Sequence, residues 1–499
     1  MKYYIGYDLG TSSLKVSLID AGTGMNIATT QEPATEMEFQ TPQPEWAEQD
    51  PELWYNNLCI ATKRLFKEKT IVPKDIKGIG IAYQMHGLVT IDKSGNIVRP
   101  AIIWCDSRAV DIGDSAFAKM GSTRSLNSLL NSPANLTASK LKWIKDNEPK
   151  KFAQIHKIML PGDYLAYRLS GETTTTKSGL SEGVFWDFKK DEVSTMLMEH
   201  FGFEENVLSS ITPSLGHQCT VNKEGARSSG LTENTPIVYR AGDQPNNAMA
   251  LNVLEPGEIA ATGGTSGVLY AVTDSMDTQE GTRINNFAHV NHSREKPRIG
   301  KLLCLNSVGI LYRWLKDNFK VSEDGYEEMN ELTEKVPVGS DGLIILPFGN
   351  GAERIFNNQN IGAHILNLNL NIHTRAHFFR AALEGLAFSY AYGMEILKND
   401  GVSAKVIRAG NDNLFRASVL PTTLATLLKQ PIEIYETNGA TGAARCAGLA
   451  TGDFKTLQQI IEKDRVATFS PDQEGATYHE AYSKWKNALE AIQKLKTNI

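Results

Sequence analysis

The chain has 499 residues, more than one hydrophobic core usually organises, so two or more domains are expected. Hydrophobic residues make up 41% and charged residues 22% of a chain with net charge -6, a globular balance that recruits neither nucleic acid nor an anionic membrane. The five cysteines (Cys59, Cys105, Cys219, Cys304 and Cys446) show no CxxC pair, which argues against a zinc site or disulfide framework and fits a reducing compartment.

The first residues, MKYYIGYDLG, enter a strand-like run with no signal-peptide apolar segment. No stretch approaches the ~18 unbroken apolar residues of a membrane span, so a cytoplasmic chain is expected. Residues 5–16, IGYDLGTSSLKV, read as strand, Gly-Thr-Ser-Ser turn and strand. PELWYNNLCIATKRLFKEK (51–69) has apolar residues at helical spacing, with Asp50 as N-cap and Pro51 at the first helical position. KGIGIAYQ (77–84), HGLVTID (86–92) and IVRPAIIW (97–104) read as strands, with DKSGN (92–96) as the turn between the last two. SKLKWIKDN (139–147) reads as a helix.

Residues 259–272, IAATGGTSGVLYAV, repeat the opening pattern: Gly10-Thr11-Ser12 falls on Gly264-Thr265-Ser266. Two unrelated hairpins could share such common turn residues. Half-chain spacing favours a structural duplication, in which each half offers backbone N–H groups and hydroxyls to a shared cleft. The boundary is expected near Asn246 to Pro256, giving domains 1–246 and 247–499. Further on, LIILPFGNG (343–351) is a buried strand opening into a Gly-rich loop, and 374–397 is a long helix whose apolar stripe serves packing. The stretch from Ser470 onward is an amphipathic terminal helix to which no chemistry is assigned.

GxxxxGK[ST], GxGxxG after a strand and zincin motifs are absent, which removes P-loop NTPases, Rossmann enzymes and zinc proteases. Two carboxylates remain, each at the end of an apolar strand: Asp8, and Asp243 in PIVYRAGDQPNNAMA. Either alone reads as an Asx turn. Together with the repeated turn they describe a phosphate pocket needing a cation and a base, as phosphoryl transfer does. His86, in Tyr83-Gln84-Met85-His86-Gly87 between two apolar runs, would by itself be a structural histidine.

The stretch IGIAYQMHGLVTIDKSGNIVRPAIIWCDSRA closely resembles the FGGY carbohydrate kinases, in the branch that acts on D-xylulose. DLGTSSLKV, PEWAEQDPELWY, AGDQPNNAMA, GGTSGVLYAV, RAALEGLAFSY and GATGAARCAG extend the match in order along nearly the whole chain. The resemblance implies a two-domain α/β fold, actin-like and ribonuclease-H-like, with duplicated halves around a central cleft. It implies ATP-dependent, Mg2+-dependent phosphorylation of the sugar's 5-hydroxyl. On it, Asp243 is the general base and a sugar contact, and Asp8 places Mg2+ and the γ-phosphate, with Asp243 at the same metal. Met85, His86 and Gly87 are ketose-binding positions. Gly10, Thr11, Ser12 and Ser13, with Gly264, Thr265 and Ser266, are the phosphate-facing turns.

The nucleotide side departs from the family. Arg408-Ala409-Gly410-Asn411-Asp412-Asn413 stands where many members have Gly-Gly-Gly-x-x-Ser, leaving Gly410 and Asn413 as the nucleotide contacts. Cys105 and Ser107 replace the usual Asn and Gly of the Trp-x-Asp stretch. Alternative readings are a kinase for L-ribulose, L-fuculose or glycerol, a non-catalytic actin-like ATP switch, and a sugar sensor without turnover. The glycerol option lacks the usual Arg-Glu pair, the switch would lack Met-His-Gly, and the sensor would lose the base. The expected partners are a small ketose and ATP, and a C2 homodimer is the prior for assembly.

Overall fold

In the computed structural model the opening stretch forms a hairpin of β1 (Tyr3–Leu9) and β2 (Leu14–Asp20), pairing Leu9 with Leu14 and Asp8 with Lys15. The structure describes all residues except Thr265, Glu323, Asp324, Asp412, Asn498 and Ile499, and excepting the side chains of Asn413 and Thr497. The run Tyr4–Tyr7 is buried throughout, which is why it reads as continuously apolar rather than alternating: it is a central strand covered on both faces.

The first sheet adds β3 (Asn26–Glu32), β4 (Ile76–Tyr83), β5 (Leu215–Thr220) and β6 (Pro236–Gly242), in the order β5-β6-β4-β1-β2-β3. The second contains β7 (Glu258–Gly263), β8 (Gly267–Thr273), β9 (Asn285–Ala288), β10 (Ile299–Leu305), β11 (Val406–Gly410), β12 (Ile432–Tyr435) and β13 (Arg465–Phe469), ordered β9-β10-β8-β7-β11-β12-β13. Both sheets share one pattern. Starting from β3 in the first and β10 in the second, successive neighbours run antiparallel, antiparallel, parallel, parallel, antiparallel. The repeated Gly-Thr-Ser turn is therefore the visible part of a duplicated half.

Around the sheets lie α1 (Pro51–Lys69), α2 (Thr137–Asn147), α3 (Lys177–Glu182), α4 (Asp243–Ala250), α5 (Arg375–Asn399), α6 (Gly439–Ala450) and α7 (Gly475–Thr497). Helix α1 starts as its sequence predicts, with the Asp50 carboxylate accepting from Glu52 N at 2.9 Å and Pro51 in the first turn. The terminal helix α7 packs: Trp485 is buried and its indole N–H donates to the Ile345 carbonyl at 2.9 Å. The expected division after residue 246 falls within α4.

Two expected strands are shorter than the sequence predicts. Residues 86–92 contribute only Val89–Ile91, and 97–104 only Ala101–Ile102. His86 takes a left-handed φ of 60°, which ends extended backbone, and Pro100 cannot donate to a sheet.

Helix α6 belongs to the second half by sequence but lies on the first sheet, its backbone pressed onto β1 and β4. A Cβ on Gly6 would stand 2.0 Å from the Ala440 carbonyl, and one on Gly80 2.0 Å from that of Ala443. Around this contact Tyr4, Val238, Tyr270, Tyr435, Ala443 and Cys446 form one buried cluster drawn from both halves.

Candidate active site

Strands β1, β4 and β6 are parallel and end level, since Leu9 and Gly242 both pair with Tyr83. Gly10, Gln84 and Asp243 follow directly, at the carboxyl edge where open α/β sheets bind ligands. The first turn is closed by Gly10 N–H donating to the Ser13 carbonyl at 2.9 Å. Its Thr11 is held from outside: Gln49 Nε2 donates to its carbonyl and Trp104 Nε1 to its hydroxyl, both at 2.8 Å. Ser13 is buried and Ser12 exposed.

Asp8 points toward the start of α6, so closely that a Cβ on Gly439 would lie 2.2 Å from its Oδ2. Asn246 Nδ2 fixes Gly439 by donating to its carbonyl at 2.9 Å, and the Asn438 side chain caps the helix through Thr441 N at 2.9 Å. Burial raises the Asp8 pKa, opposed by Lys15 across the hairpin. Burial, and then the Asp8 charge, push Asp243 from 3.8 up to about 7, against hydrogen bonds from Gln244. Among the described residues neither carboxylate has an ion pair, and no three metal-ligating side chains gather anywhere.

The Met85–Gly87 turn lies beside these carboxylates. Met85 is buried under Gly242, where an added Cβ would meet its Cγ at 2.5 Å. His86 N–H donates to Glu182 Oε1 at 3.2 Å, and Nδ1 lies 3.1 Å from the Glu182 carbonyl. A carbonyl can only accept, so Nδ1 carries the proton and Nε2 presents a lone pair. Burial and the Lys140 charge lower His86 to about 3, so the ring is neutral at physiological pH. Phe287 of the second half packs beside it, with ring centroids 5.3 Å apart. Buried Lys140 donates to the carbonyls of His86 at 3.0 Å and Ile103 at 3.1 Å, tying the turn to the Trp104 segment.

The second turn is closed by Gly264 N–H donating to the Ser266 carbonyl at 3.1 Å. Next to β8, Cys304 of β10 pairs with Val268; burial pushes its thiol up to about 11, and it also feels the charges of Arg354 and Asp243. A cavity of about 510 Å³ opens from Gly264 between Gly309, Tyr312, Arg313, Tyr326, Leu414 and Arg416. Gly410 ends β11 next to β7. Thr265 and the Asn413 side chain lie outside the described residues.

The first sheet thus gathers Asp8, Gly10–Ser13, Met85–Gly87 and Asp243 at one edge. Sequence reasoning missed Glu182, Lys140 and Arg354, whose contacts come from remote segments. It also passed over Lys15, which the hairpin register could have paired with Asp8.

No helix among the described residues is long and apolar enough to cross a membrane. The models for the N- and C-terminal domains of the FGGY family of carbohydrate kinases match residues 3–250 and 259–451. The chain is 31% identical to the xylulose kinase of Haemophilus influenzae, over 81% of this chain and 82% of that one. The solved "xyloylose kinase" of Brucella ovis superposes with TM-score 0.88 at 26% identity, covering 99% of this chain and 100% of that one. Plasmodium falciparum glycerol kinase superposes with TM-score 0.87 at 21% identity, covering 99% and 98%, a likeness of fold alone. With both domain models matched in order over most of its length, the chain belongs to the FGGY family of carbohydrate kinases.

Proposed function

We propose that this chain transfers the γ-phosphoryl group of ATP to the 5-hydroxyl of D-xylulose, with Asp243 as general base. The observation that carries the reading is Asp243 at a strand end with its pKa near 7, beside a neutral His86. A base of that strength is about half ionised at neutral pH and takes a hydroxyl proton readily. Asp243 removes the O5 proton as that oxygen attacks the γ-phosphorus, and ADP leaves. His86 Nε2 accepts from a sugar hydroxyl, while Met85 and Gly87 give the turn an apolar floor and close backbone approach.

The turns Gly10–Ser13 and Gly264–Ser266 would hold the phosphates from opposite sides, with Lys15 beside them. The 510 Å³ cavity has room for the purine near Tyr312, Tyr326 and Leu414, with Gly410 and Asn413 at its phosphate end. On this reading residues 1–246 hold the sugar and the base, and 247–499 the nucleotide. Asp8 and Asp243 are hard oxygen donors that form no ion pair among the described residues, a set that fits Mg2+, which binds through one or two carboxylates plus phosphate oxygens. When bound, Mg2+ would supply charge neutralisation on the phosphates, held by Asp8 with Asp243 adjacent.

The names of the curated relatives support D-xylulose, whereas the fold is shared with a glycerol kinase and does not choose the sugar. ADP release with Mg-ATP across pentuloses, hexuloses and polyols tests the choice, and D-xylulose should give the highest kcat/KM. An ATPase rate indifferent to every sugar would overturn the reading.

A further inference from the structure

The loop after strand Ile344–Phe348 is fixed from several sides. The Glu353 carboxylate accepts from Asn306 N at 2.9 Å and from the Ser307 hydroxyl at 2.5 Å. Asn350 donates through its backbone N–H to Ser307 Oγ at 3.1 Å, and through Nδ2 to the Asn306 carbonyl at 3.0 Å. Asn306 Nδ2 returns a bond to the Ala352 carbonyl at 2.8 Å. Ile355 and Phe356 are buried in the second-half core. Arg354, between these anchors, is therefore held in place by its neighbours on both sides.

Arg354 makes no ion pair or side-chain hydrogen bond among the described residues, and its Nε is sealed from water without a partner. Other buried arginines here have carboxylates: Arg108 has Asp106 and Glu48, Arg380 has Glu384, and Arg445 has Asp464. A sealed guanidinium N–H left without a hydrogen bond is costly. Its charge is felt by His86 and Asp114 of the first half and by Cys304 of β10.

The three side chains placed at the sugar offer its carbonyl no donor. Asp243 and His86 Nε2 accept hydrogen bonds, and Met85 is apolar. They suit the hydroxyls of an open-chain ketose as donors, but its carbonyl can only accept. A guanidinium can only donate.

We propose that Arg354 is a sugar-binding residue supplied by the second half, donating to ketose oxygens on the side opposite His86. The sugar site is then complete only when both halves face each other. This rests on the sugar-kinase reading above and names a further contact within it.

The test is steady-state kinetics of wild type, Arg354→Met and Arg354→Lys, with calorimetric sugar binding in the absence of nucleotide and a thermal melt as folding control. Arg354→Met should raise the D-xylulose KM and Kd about 10–100-fold, the loss of a charged hydrogen bond, with the ATP KM within about two-fold. Arg354→Lys should recover part of the affinity, keeping the charge but losing the planar fork. A sugar KM unchanged in both variants, or equal rises for sugar and ATP, overturns the proposal. Should Arg354→Met not fold, Arg354→Lys decides alone, and an unchanged sugar Kd overturns the proposal. A wild type that ignores D-xylulose but phosphorylates another sugar refutes only the choice of substrate, and the same comparison is made with that sugar. A wild type inert to all sugars refutes both.

Discussion

Asp8 and Asp243 stand one strand apart at the sheet edge, and the charge on Asp8 is the second cause, after burial, of the rise of Asp243 to about 7. The carboxylate that would take the proton is thus tuned by the carboxylate that would face the phosphates. Like charges at close quarters raise one proton affinity, and a base near neutrality is the outcome.

Removing that base should abolish turnover with the fold kept. Asp243→Ala is expected to lower kcat about 10²–10⁴-fold, the usual contribution of a general base, with an unchanged circular dichroism spectrum. Full activity in this variant would sink the assignment.

The pH behaviour has a definite sign. As a base Asp243 must be ionised, so kcat/KM should rise with pH through a midpoint near 7. Its folded pKa lies above the unfolded one, so the native chain holds a proton that the unfolded chain loses. This group's contribution to stability is therefore present below pH 3.8 and declines as pH rises from there to about 7. Asp243→Asn should flatten that part of a stability-against-pH curve. His86, at about 3, adds no limb near neutrality.

Asp8→Asn should act twice. Turnover should fall about 10²–10³-fold, as expected if Asp8 holds the Mg2+ that would neutralise charge at the phosphates, with a higher Mg2+ requirement. The residual activity should have its acid limb at lower pH, because the like charge on Asp243 is gone. Intact activity would make Asp8 only a turn residue.

His86→Ala should raise the sugar KM far more than the ATP KM if Nε2 accepts from a sugar hydroxyl as proposed. Equal effects on both would mark the ring as structural.

Glu182 separates charge from shape. Burial raises its pKa well above the usual range, with Asp163 and Asp243 adding to the rise, which favours its protonated form. Glu182→Gln should keep the His86 N–H bond, melt close to wild type and preserve the sugar KM. Glu182→Ala should cost about 1–3 kcal/mol, the penalty of an unsatisfied buried donor, and raise the sugar KM as the turn loosens. Thermal melts and sugar titrations of the pair check this.

Local signals made part of this legible in sequence. The turn Gly10–Ser13, its echo at 264–266, and the Asp50-Pro51 start of α1 are each set by neighbouring residues. The His86 turn was not legible, because its left-handed backbone is fixed by Glu182, 96 positions away, and its carbonyl by Lys140, 54 positions away. Arg354 was invisible for the same reason: only the fold brings its charge to bear on His86.

The docking of α6 on β1 and β4 bears on how the chain is made. The first-half sheet finishes with β6, but the helix covering Gly6 and Gly80 is synthesised some 200 residues later. At ribosomal elongation rates that interval is roughly 10–40 s. During it the nascent first half carries an uncovered apolar sheet face, so it should need shielding until α6 emerges, and a fragment ending after α4 should aggregate rather than fold alone.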